Sequence, residues 1–248
     1  MNISILGNSG YLGSYLQNHI NLDKGSIDYV INCIGKPNLE FCEENPDISY
    51  ISNYQIIHDI IKKYPGKKII HFSSYYVYDD DKACMEDDNV TTQYKYCEHK
   101  LMSERLVVEN GGVVFRIGKL FGHSDLAKQN KLTEYLMLSD KVVLDDVMFN
   151  PTSLSQVLKA INHELENNNL NGIFNLSNDG NTSHYQYGKF IQKHFNTKLN
   201  ISRIKKHDRI FSNYGKFLMS CDKIKEFFPL NTWEEDMINY LESMKCTV

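Results

Sequence analysis

The sequence lacks the features that mark several large classes of protein. Its six cysteines include no Cys-x-x-Cys pair and no zinc-ligand spacing, and an even count in a chain of 248 residues does not indicate a disulfide framework. A net charge of −4 leaves no basic excess, which argues against a nucleic-acid-binding protein. No apolar stretch reaches membrane-spanning length, and no signal-peptide pattern opens the chain. We therefore expect a reduced, soluble, cytoplasmic protein with neither nucleic acid nor a membrane as partner.

Proline is scarce, and no Pro/Gly-rich linker or internal repeat divides the chain. The content of 42% hydrophobic and 23% charged residues is that of an ordinary globular protein. The acidic clusters at 79–81 and 86–88 are typical of a solvated loop, so we expect no metal site. We predict a nucleotide-binding core over residues 1–150 and a small substrate-binding portion over residues 151–248, partly interleaved with the core.

Short apolar runs alternate with helical patterns through the first half of the chain. The predicted strands are residues 3–6, 28–34, 68–72 and 113–117, and the predicted helices between them include 50–63 and 92–110. After Gly118 the alternation weakens, with helices predicted at 128–138, 154–165, 185–195 and 232–244 and a strand at 173–176. This order predicts an α/β fold, a Rossmann-type doubly wound parallel sheet.

A glycine-rich turn lies between the first predicted strand and the first predicted helix. Its residues are Gly7, Asn8, Ser9, Gly10, Tyr11, Leu12 and Gly13. Glycine permits a tight turn and lets backbone amides approach a pyrophosphate, whose negative charge the helix N-terminus favours. A strand–helix turn without a ligand is the alternative, but the position after the first strand favours a dinucleotide.

A tyrosine and a lysine four positions apart form the candidate catalytic group. Tyr96 and Lys100 share one face of the predicted helix at 92–110. A free phenol has a pKa of about 10, and a nearby ammonium is expected to lower it toward the range useful for proton exchange with a carbonyl oxygen. Ser74 follows the third predicted strand, at the edge where ligands of such folds bind, so its hydroxyl is placed to hold the same oxygen. The order of glycine turn, serine and Tyr-x-x-x-Lys favours this interpretation over a chance pairing.

These motifs resemble those of the extended short-chain dehydrogenase/reductases. More narrowly, the sequence is similar to the dTDP-4-dehydrorhamnose reductases and the UDP-4-keto-6-deoxyglucose 3,5-epimerase/4-reductases. The similarity covers nearly the whole chain, and its most specific segment is the second, which the simple reductases lack. The segments are GNSGYLG (7–13), NCIGKPNLEFCE (32–43), HFSSYYVYD (71–79), YCEHKLMSE (96–104), FRIGKLFGHSDL (115–126), GIFNLSNDGNTSH (172–184) and SCDKIKEFFP (220–229).

The resemblance implies that a nicotinamide cofactor reduces the C4 keto group of a UDP- or dTDP-linked 4-keto-6-deoxysugar. Tyr96 would protonate the oxygen, Ser74 would orient the carbonyl, and Lys100 would tune Tyr96 and hold the nicotinamide ribose. A homodimer stays open. Beyond the glycine turn, Tyr96 and Lys100, the cofactor contacts that the resemblance implies are Asn32, Cys33, Gly35 and Ser73.

The resemblance further implies epimerisation before reduction, because a C4 ketone acidifies the neighbouring C–H bonds. Cys42 matches the cysteine that the epimerase/reductases use for this step, although a free cysteine is more often a small buried hydrophobe. The family's partner lysine falls at Tyr135. Lys131 and His123 are the substitutes within reach, and His123 lies one position from the acid/base histidine of the GDP-fucose synthases.

One part of the family's pattern is missing. Only a handful of residues separate Ile20 from Ile27, where the family places a second strand and another helix. A parallel crossover needs about a dozen residues or more, so we expect a shortened sheet with its first strand at or near an edge. The residue that usually separates NADH from NADPH is lost with that strand. We favour NADPH, with NADH possible, because biosynthetic reductases of this family generally use it. The family's diphosphate-binding arginine is also out of register, with Asn213 and Tyr214 in its place.

Three functions stay open. The first is a bifunctional 3- or 3,5-epimerase/4-reductase, on a sugar that is possibly N-acetylated. The second is a pure 4-reductase in which Cys42 is structural. The third is a non-catalytic regulatory subunit, a role that this fold takes in the methionine adenosyltransferase beta-subunit family. The presence of Ser74, Tyr96 and Lys100 together argues against the third.

Overall fold

The fold is built from short strands and helices that alternate along most of the chain. The computed structural model describes residues 2–22, 25–78, 82–91, 93–124, 131–204 and 216–245. In chain order its strands are β1 (Ile3–Leu6), β2 (Tyr29–Asn32), β3 (Lys68–Ser74), β4 (Ala83–Cys84), β5 (Val113–Ile117), β6 (Lys119–Phe121), β7 (Lys141–Leu144), β8 (Met148–Phe149), β9 (Pro151–Ser153), β10 (Gly172–Leu176), β11 (Thr182–Ser183), β12 (Asn200–Arg203) and β13 (Lys216–Met219). Its helices are α1 (Tyr11–His19), α2 (Leu39–Glu44), α3 (Pro46–Tyr50), α4 (Ile56–Lys63), α5 (Lys95–Glu109), α6 (Lys131–Leu138), α7 (Leu154–Asn167), α8 (His184–His194), α9 (Asp222–Lys225) and α10 (Trp233–Lys245).

Five strands form a parallel sheet in the order β1-β2-β3-β5-β10. Its strands are rich in Ile, Val and Phe and largely buried, as is usual for a parallel sheet covered by helices. The register pairs Leu6 with Asn32 and Ser74 with Ile117. The carboxyl ends of all five strands therefore lie along one edge, which is where this class of fold binds ligands.

Helices cover both faces of the sheet. On one face, Leu16 of α1 and Ile161 of α7 belong to a core that includes Phe115 of β5. On the other face, Ile57 of α4 and Val107 of α5 pack in a second cluster with β2, β3 and β5. Each such fully buried side chain contributes roughly 1.5–3 kcal/mol. The predicted doubly wound α/β fold is confirmed.

Strand β1 lies at the edge of the sheet, as the missing segment predicts. Its pairing partner is β2, and no described strand lies on its other side. Helix α1 ends at His19 and β2 begins at Tyr29, so the intervening residues are too few for a further strand and helix. A dinucleotide bound at this edge would have less sheet beside its adenosine end than in a full Rossmann fold.

A further hydrophobic core lies between α6, α8 and α10. Its members include Phe121, Leu136, Tyr187 and Trp233. The division at residue 150 stays a prediction, and elements cross it in both directions. Helix α7 and strand β10 follow residue 150 but belong to the central sheet and its core, whereas α6 precedes it and belongs to the further core.

The predicted helix at 50–63 is not one regular helix. A π-helical turn, Ile51–Gln55, joins α3 to α4. A π turn inserts an extra residue into the helical register, so the face that points inward changes across it. Ile51 has the helical spacing of an apolar face with Ile57 and Ile61, yet it is 60% exposed, and Asn53 is buried instead.

Helix α5 is the element that carries the candidate catalytic residues. It begins at Lys95, three residues later than the sequence predicts, and it runs to Glu109. A buried ion pair holds it on the sheet, since Arg116 of β5 donates through Nη2 to Glu104 Oε2 at 2.7 Å. Neither α5 nor any other helix in the described ranges combines the length and the apolar character that spanning a bilayer requires.

Candidate active site

The glycine turn has a backbone that side chains cannot replace. Gly7 has a φ of +79°, and a Cβ there would lie 2.9 Å from the carbonyl carbon of Cys33. A Cβ on Gly13 would lie 2.2 Å from the Gly7 oxygen, so α1 approaches the turn only because this position is glycine. Gly10 begins α1 without a side-chain cap, which leaves the N–H groups of its first turn for an anion. The exposed residues Asn8 and Ser9 complete a turn that fits a pyrophosphate.

Two residues of the turn direct their side chains elsewhere. The Tyr11 hydroxyl donates to the Gly122 carbonyl oxygen at 2.5 Å, and Leu12 is buried in the core beneath α1. Ser14 and Ser124 share a hydrogen bond of 2.6 Å. The first turn of α1 thus holds the segment after β6, and Tyr11 and Leu12 offer a cofactor their backbone only.

The three residues near the end of β2 that are predicted to contact the cofactor have different surroundings. The Asn32 side chain is engaged internally, since its Oδ1 accepts from the Ile34 N–H at 3.1 Å and its Nδ2 lies 3.2 Å from His71 Nδ1. Burial raises the pKa of the Cys33 thiol to about 12. Gly35 borders the candidate catalytic residue Lys100, because a Cβ there would lie 3.4 Å from Lys100 Nζ.

Ser73 points away from Ser74, since neighbouring strand residues face opposite sides of the sheet. It shares a side with His71, whose Nε2 lies 3.1 Å from Ser103 of α5, so Ser73 faces α5. The side chain is 3% exposed, and its hydroxyl has no hydrogen-bond partner in the described parts of the chain. A cofactor contact for Ser73 stays a prediction.

Tyr96 and Ser74 meet at the carboxyl edge of the sheet. Tyr96 is buried at the start of α5, and the Ser74 hydroxyl hydrogen-bonds to its phenol. Burial raises the pKa of Tyr96 well above its ordinary value, while the Ser74 hydroxyl lowers it. The net shift of this pKa is thus upward, because desolvation favours the neutral phenol. A lowering of the Tyr96 pKa by the Lys100 ammonium stays a prediction.

Lys100 lies one turn further along α5 and is 5% exposed. Its Nζ donates to the Phe72 carbonyl oxygen at 2.8 Å, which uses one of its three donors. Burial lowers the pKa of Lys100 to about 8, and the carboxylate of Glu104 opposes that shift. The lysine is thus held at the strand end, next to Gly35, with donors left for a ligand.

Cys42 lies close to Tyr96. It is fully buried in a cluster with Tyr96, Leu39 and Cys97. Its thiol donates to the Lys36 carbonyl oxygen at 3.4 Å, and burial raises its pKa. The sequence therefore identifies a cysteine beside the candidate proton donor, although its role in catalysis stays a prediction.

Asn53 is a site residue that the sequence analysis misses. It is buried in the π turn, its Oδ1 accepts from the Lys36 N–H at 2.9 Å, and it lies against Gly35 and hence close to Lys100. Apolar periodicity does not reveal it, because the π turn breaks the period of 3.6 residues. The local sequence therefore contains no signal that indicates it.

His123 lies after β6, near α6. It is exposed after β6, between Gly122 and Ser124, both of which α1 holds. Its charge lowers the pKa of Glu134, which burial raises, so the structure places His123 beside α6. Tyr135 is exposed on that helix. The side chain of Lys131 and residues 213 and 214 lie outside the described residues.

A family comparison decides where the chain belongs. The model of the RmlD substrate binding domain matches residues 19–246, almost the whole chain after the glycine turn. The chain belongs to the RmlD substrate binding domain family. The resemblance predicted from the sequence motifs is thereby confirmed.

Solved structures similar to this RmlD-family chain share its fold. A dTDP-4-dehydrorhamnose reductase from Clostridium acetobutylicum has a TM-score of 0.86 at 18% identity, over 99% of this chain and 100% of that one. A dTDP-4-dehydrorhamnose reductase from Bacillus anthracis, solved in complex with NADP, has a TM-score of 0.85 at 19% identity, over 98% and 100% of the two chains. At these identities the likeness shows the fold.

A curated relative is similar over part of the chain. The probable low-salt glycan biosynthesis reductase Agl14 of Haloferax volcanii is 29% identical over 107 residues. This stretch is 41% of the present chain and 36% of the relative. The match thus spans about a third of the length of that reductase.

Proposed function

We propose that this RmlD-family protein is an NADP(H)-dependent reductase of the C4 keto group of a dTDP- or UDP-linked 4-keto-6-deoxysugar. The observation that carries the proposal is the meeting of Ser74, Tyr96 and Lys100 at the sheet edge that also bears the glycine turn. The fold shared with two dTDP-4-dehydrorhamnose reductases, one of them bound to NADP, supports the reaction and the cofactor.

The chain's own residues have separable tasks in this reaction. Gly7 and Gly13 admit the pyrophosphate, and the first turn of α1 offers it backbone N–H groups. When bound, the nicotinamide supplies the hydride that the C4 carbon accepts. Tyr96 donates a proton to the oxygen, and Ser74 holds that oxygen by hydrogen bonding. Lys100 binds a cofactor hydroxyl with the donors that Phe72 leaves, and its charge stabilises the phenolate that forms.

A second candidate function adds epimerisation before reduction. The observation that favours it is the burial of Cys42 in one cluster with Tyr96. In this function the thiolate removes a proton from the carbon next to the ketone, and the ketone oxygen takes up the charge as an enolate. A second acid, for which His123 is the candidate, returns a proton on the other face.

One experiment tests both functions. The protein is incubated in deuterium oxide with NADPH and a panel of dTDP- and UDP-linked 4-keto-6-deoxysugars, and the products are identified by NMR. Reduced product without carbon-bound deuterium from solvent identifies a pure 4-reductase. Solvent deuterium at C3 or C5 that disappears in Cys42→Ser adds the epimerase. If no sugar is reduced while NADPH still binds, the protein is a non-catalytic binding subunit and the proposal is wrong.

A further inference from the structure

Behind Cys42 lies a chain of buried polar side chains that reduction does not need. Cys42 is on α2, Ser49 on α3, Asn53 in the π turn and His99 on α5, and all four are buried. Asn53 Nδ2 lies 3.8 Å from Cys42 Sγ and 3.2 Å from Ser49 Oγ. Ser49 Oγ lies 2.8 Å from His99 Nδ1. The contacts connect the thiol to an imidazole on the helix of Tyr96 and Lys100.

The backbone of Lys36 fixes the orientation of the Asn53 amide. Its N–H donates to Asn53 Oδ1 at 2.9 Å, so the Oδ1 atom must be the acceptor end of the amide. The Nδ2 atom is therefore the donor end, and it faces Ser49 Oγ, Cys42 Sγ and the Lys36 carbonyl oxygen, the last at 3.3 Å. The π turn creates this arrangement by bringing Asn53 inward beneath Ser49.

The hydrogen-bonding capacity of Ser49 then determines where its proton lies. A serine hydroxyl has one donor and two acceptor lone pairs. Asn53 Nδ2 donates to one lone pair, and His99 in its Nδ1–H tautomer donates to the other. The single Ser49 proton is left for Cys42, whose pKa the hydrogen bonds of Ser49 and Asn53 lower against the effect of burial.

His99 has charged and aromatic neighbours on several elements. Lys95 and Glu98 belong to its own helix, and Glu43 faces it from α2. The Tyr50 ring of α3 meets the imidazole edge-on at 5.5 Å. Burial lowers the pKa of His99, so the neutral ring prevails near neutral pH, and the Nδ1–H tautomer is the one that completes the chain.

We propose that Ser49 and His99 are positioning residues for Cys42, which direct the Ser49 proton onto the sulfur and thereby stabilise its thiolate. The use of that thiolate rests on the epimerising half of the proposed function. There the sulfur takes the proton from the carbon beside the ketone, and the C–H electron pair passes into the enolate. The sulfur ends as the thiol, and the second acid supplies the proton that returns to carbon.

The test measures the Cys42 pKa directly in the whole protein. Cysteine labelled with carbon-13 at Cβ gives an NMR signal that shifts when the thiol ionises, and its loss in Cys42→Ser assigns it. Ser49→Ala and His99→Leu are expected to raise the pKa by about one unit, which is about a tenfold lower thiolate fraction. Ser49→Thr keeps the hydroxyl, and His99→Asn keeps a donor at the Nδ1 position. The Cys42 pKa in these two variants should therefore stay near that of the parent protein. His58→Gln, at an exposed histidine of α4, is the matched control.

Equal pKa values in the parent, His99→Leu and Ser49→Ala would overturn the proposal. If Ser49→Ala does not fold, the comparison of His99→Leu with His99→Asn decides alone. Incorporation of solvent deuterium into the sugar distinguishes this outcome from a failure of the proposed epimerisation. A parent that incorporates no solvent deuterium is not an epimerase even where the variants shift the Cys42 pKa. Equal pKa values in a parent that does incorporate deuterium refute the positioning role only.

Discussion

In the proposed function, reduction depends most on Tyr96. Replacing it with phenylalanine removes the proton donor but leaves the glycine turn intact, so we expect kcat to fall by about 10²–10⁴-fold with little change in the Kd for NADPH. Steady-state kinetics and a fluorescence titration with NADPH measure the two quantities. Tyr64→Phe, at the far end of α4, is the control and should leave both unchanged. A Tyr96→Phe enzyme that keeps most of its activity would show that the proton comes from another group.

Lys100 gives the protein a pH-dependent stability. Burial lowers its pKa to about 8, whereas an unfolded lysine titrates at about 10.4. Between these values the unfolded chain binds more protons, so the Lys100 contribution to the free energy of unfolding rises with pH. Across this pH range the contribution of Lys100 to the free energy of unfolding rises by about 3 kcal/mol. Because Lys100 is buried, solvent screening reduces this value little.

The measurement compares denaturant unfolding of the parent and of Lys100→Met at several pH values from neutral to alkaline. The buried tyrosines affect both proteins alike, so the difference isolates Lys100. The variant is expected to gain relative stability at neutral pH, and the gap should close as pH rises. Lys62→Met, at an exposed lysine of α4, should show a constant difference. Parallel curves for Lys100→Met would mean that the lysine is not desolvated.

The sequence identifies some residues of the site and misses others for a physical reason. Ser74, Tyr96 and Lys100 follow from motif order, because a strand end and one helix turn set their positions whatever the rest of the fold does. Asn53, Ser49 and His99 become neighbours only through the π turn, and local periodicity contains no signal for that insertion. The raised pKa of Tyr96 is likewise not predictable, because burial cannot be seen from the spacing of Tyr96 and Lys100.

At the scale of elements, the glycine turn gives the sharpest prediction. Gly7 and Gly66 both have a positive φ, +79° and +70°, so alanine strains the backbone by about 1–2 kcal/mol at either position. Only at Gly7 does the new Cβ also meet backbone, 2.9 Å from the Cys33 carbonyl carbon. We expect Gly7→Ala to weaken NADPH binding at least about tenfold by displacing the turn, in line with the role of close backbone approach.

Gly66→Ala serves as the strain-matched control, because its Cβ would enter open space. It should lose a similar amount of stability from strain yet bind NADPH normally. Isothermal titration with NADPH and denaturant unfolding separate the two effects. Equal losses of NADPH affinity in the two variants would show that the turn does not hold the cofactor.

Element boundaries show where sequence reasoning is strong and where it fails. Strands β1 and β5 have the bounds that the sequence predicts, because each is an isolated apolar run between glycine or polar residues. Helix α5 begins later than predicted, since the start of a helix depends on its cap and on packing against neighbours. The regular helix predicted at 50–63 fails because one inserted residue alters the inward face.

At the scale of the whole molecule, the edge position of β1 affects cofactor choice. The usual strand beside β1, which ends in the residue that reads the adenosine ribose, is absent from the described sheet. A 2′-phosphate contact in open solvent is weakly favourable, so kcat/KM for NADPH and NADH should differ by no more than about tenfold. Steady-state kinetics with each cofactor give the ratio. A preference of several orders of magnitude would require a phosphate site that β1 alone does not explain.

The sequence predicts the fold of the first half of the chain well and that of the second half less well. Alternation of strands and helices gives the central sheet, and a segment too short for a crossover gives its truncated edge. The further core around Phe121, Tyr187 and Trp233 draws on residues distant in sequence. Long-range packing of this kind has no local period, which is why the sequence pattern does not predict it.

Hydride transfer from NADPH to C4 of the sugar is the central step of the proposed function, and transfer of deuterium tests it most directly. The protein is incubated in ordinary water with a dTDP-linked 4-keto-6-deoxyhexose and NADPH that carries deuterium at the transferable position of the nicotinamide. We expect one deuterium at C4 of the sugar, observed by NMR, and a loss of that transfer in Tyr96→Phe. Binding of both ligands to the parent protein without any deuterium at C4 would contradict it.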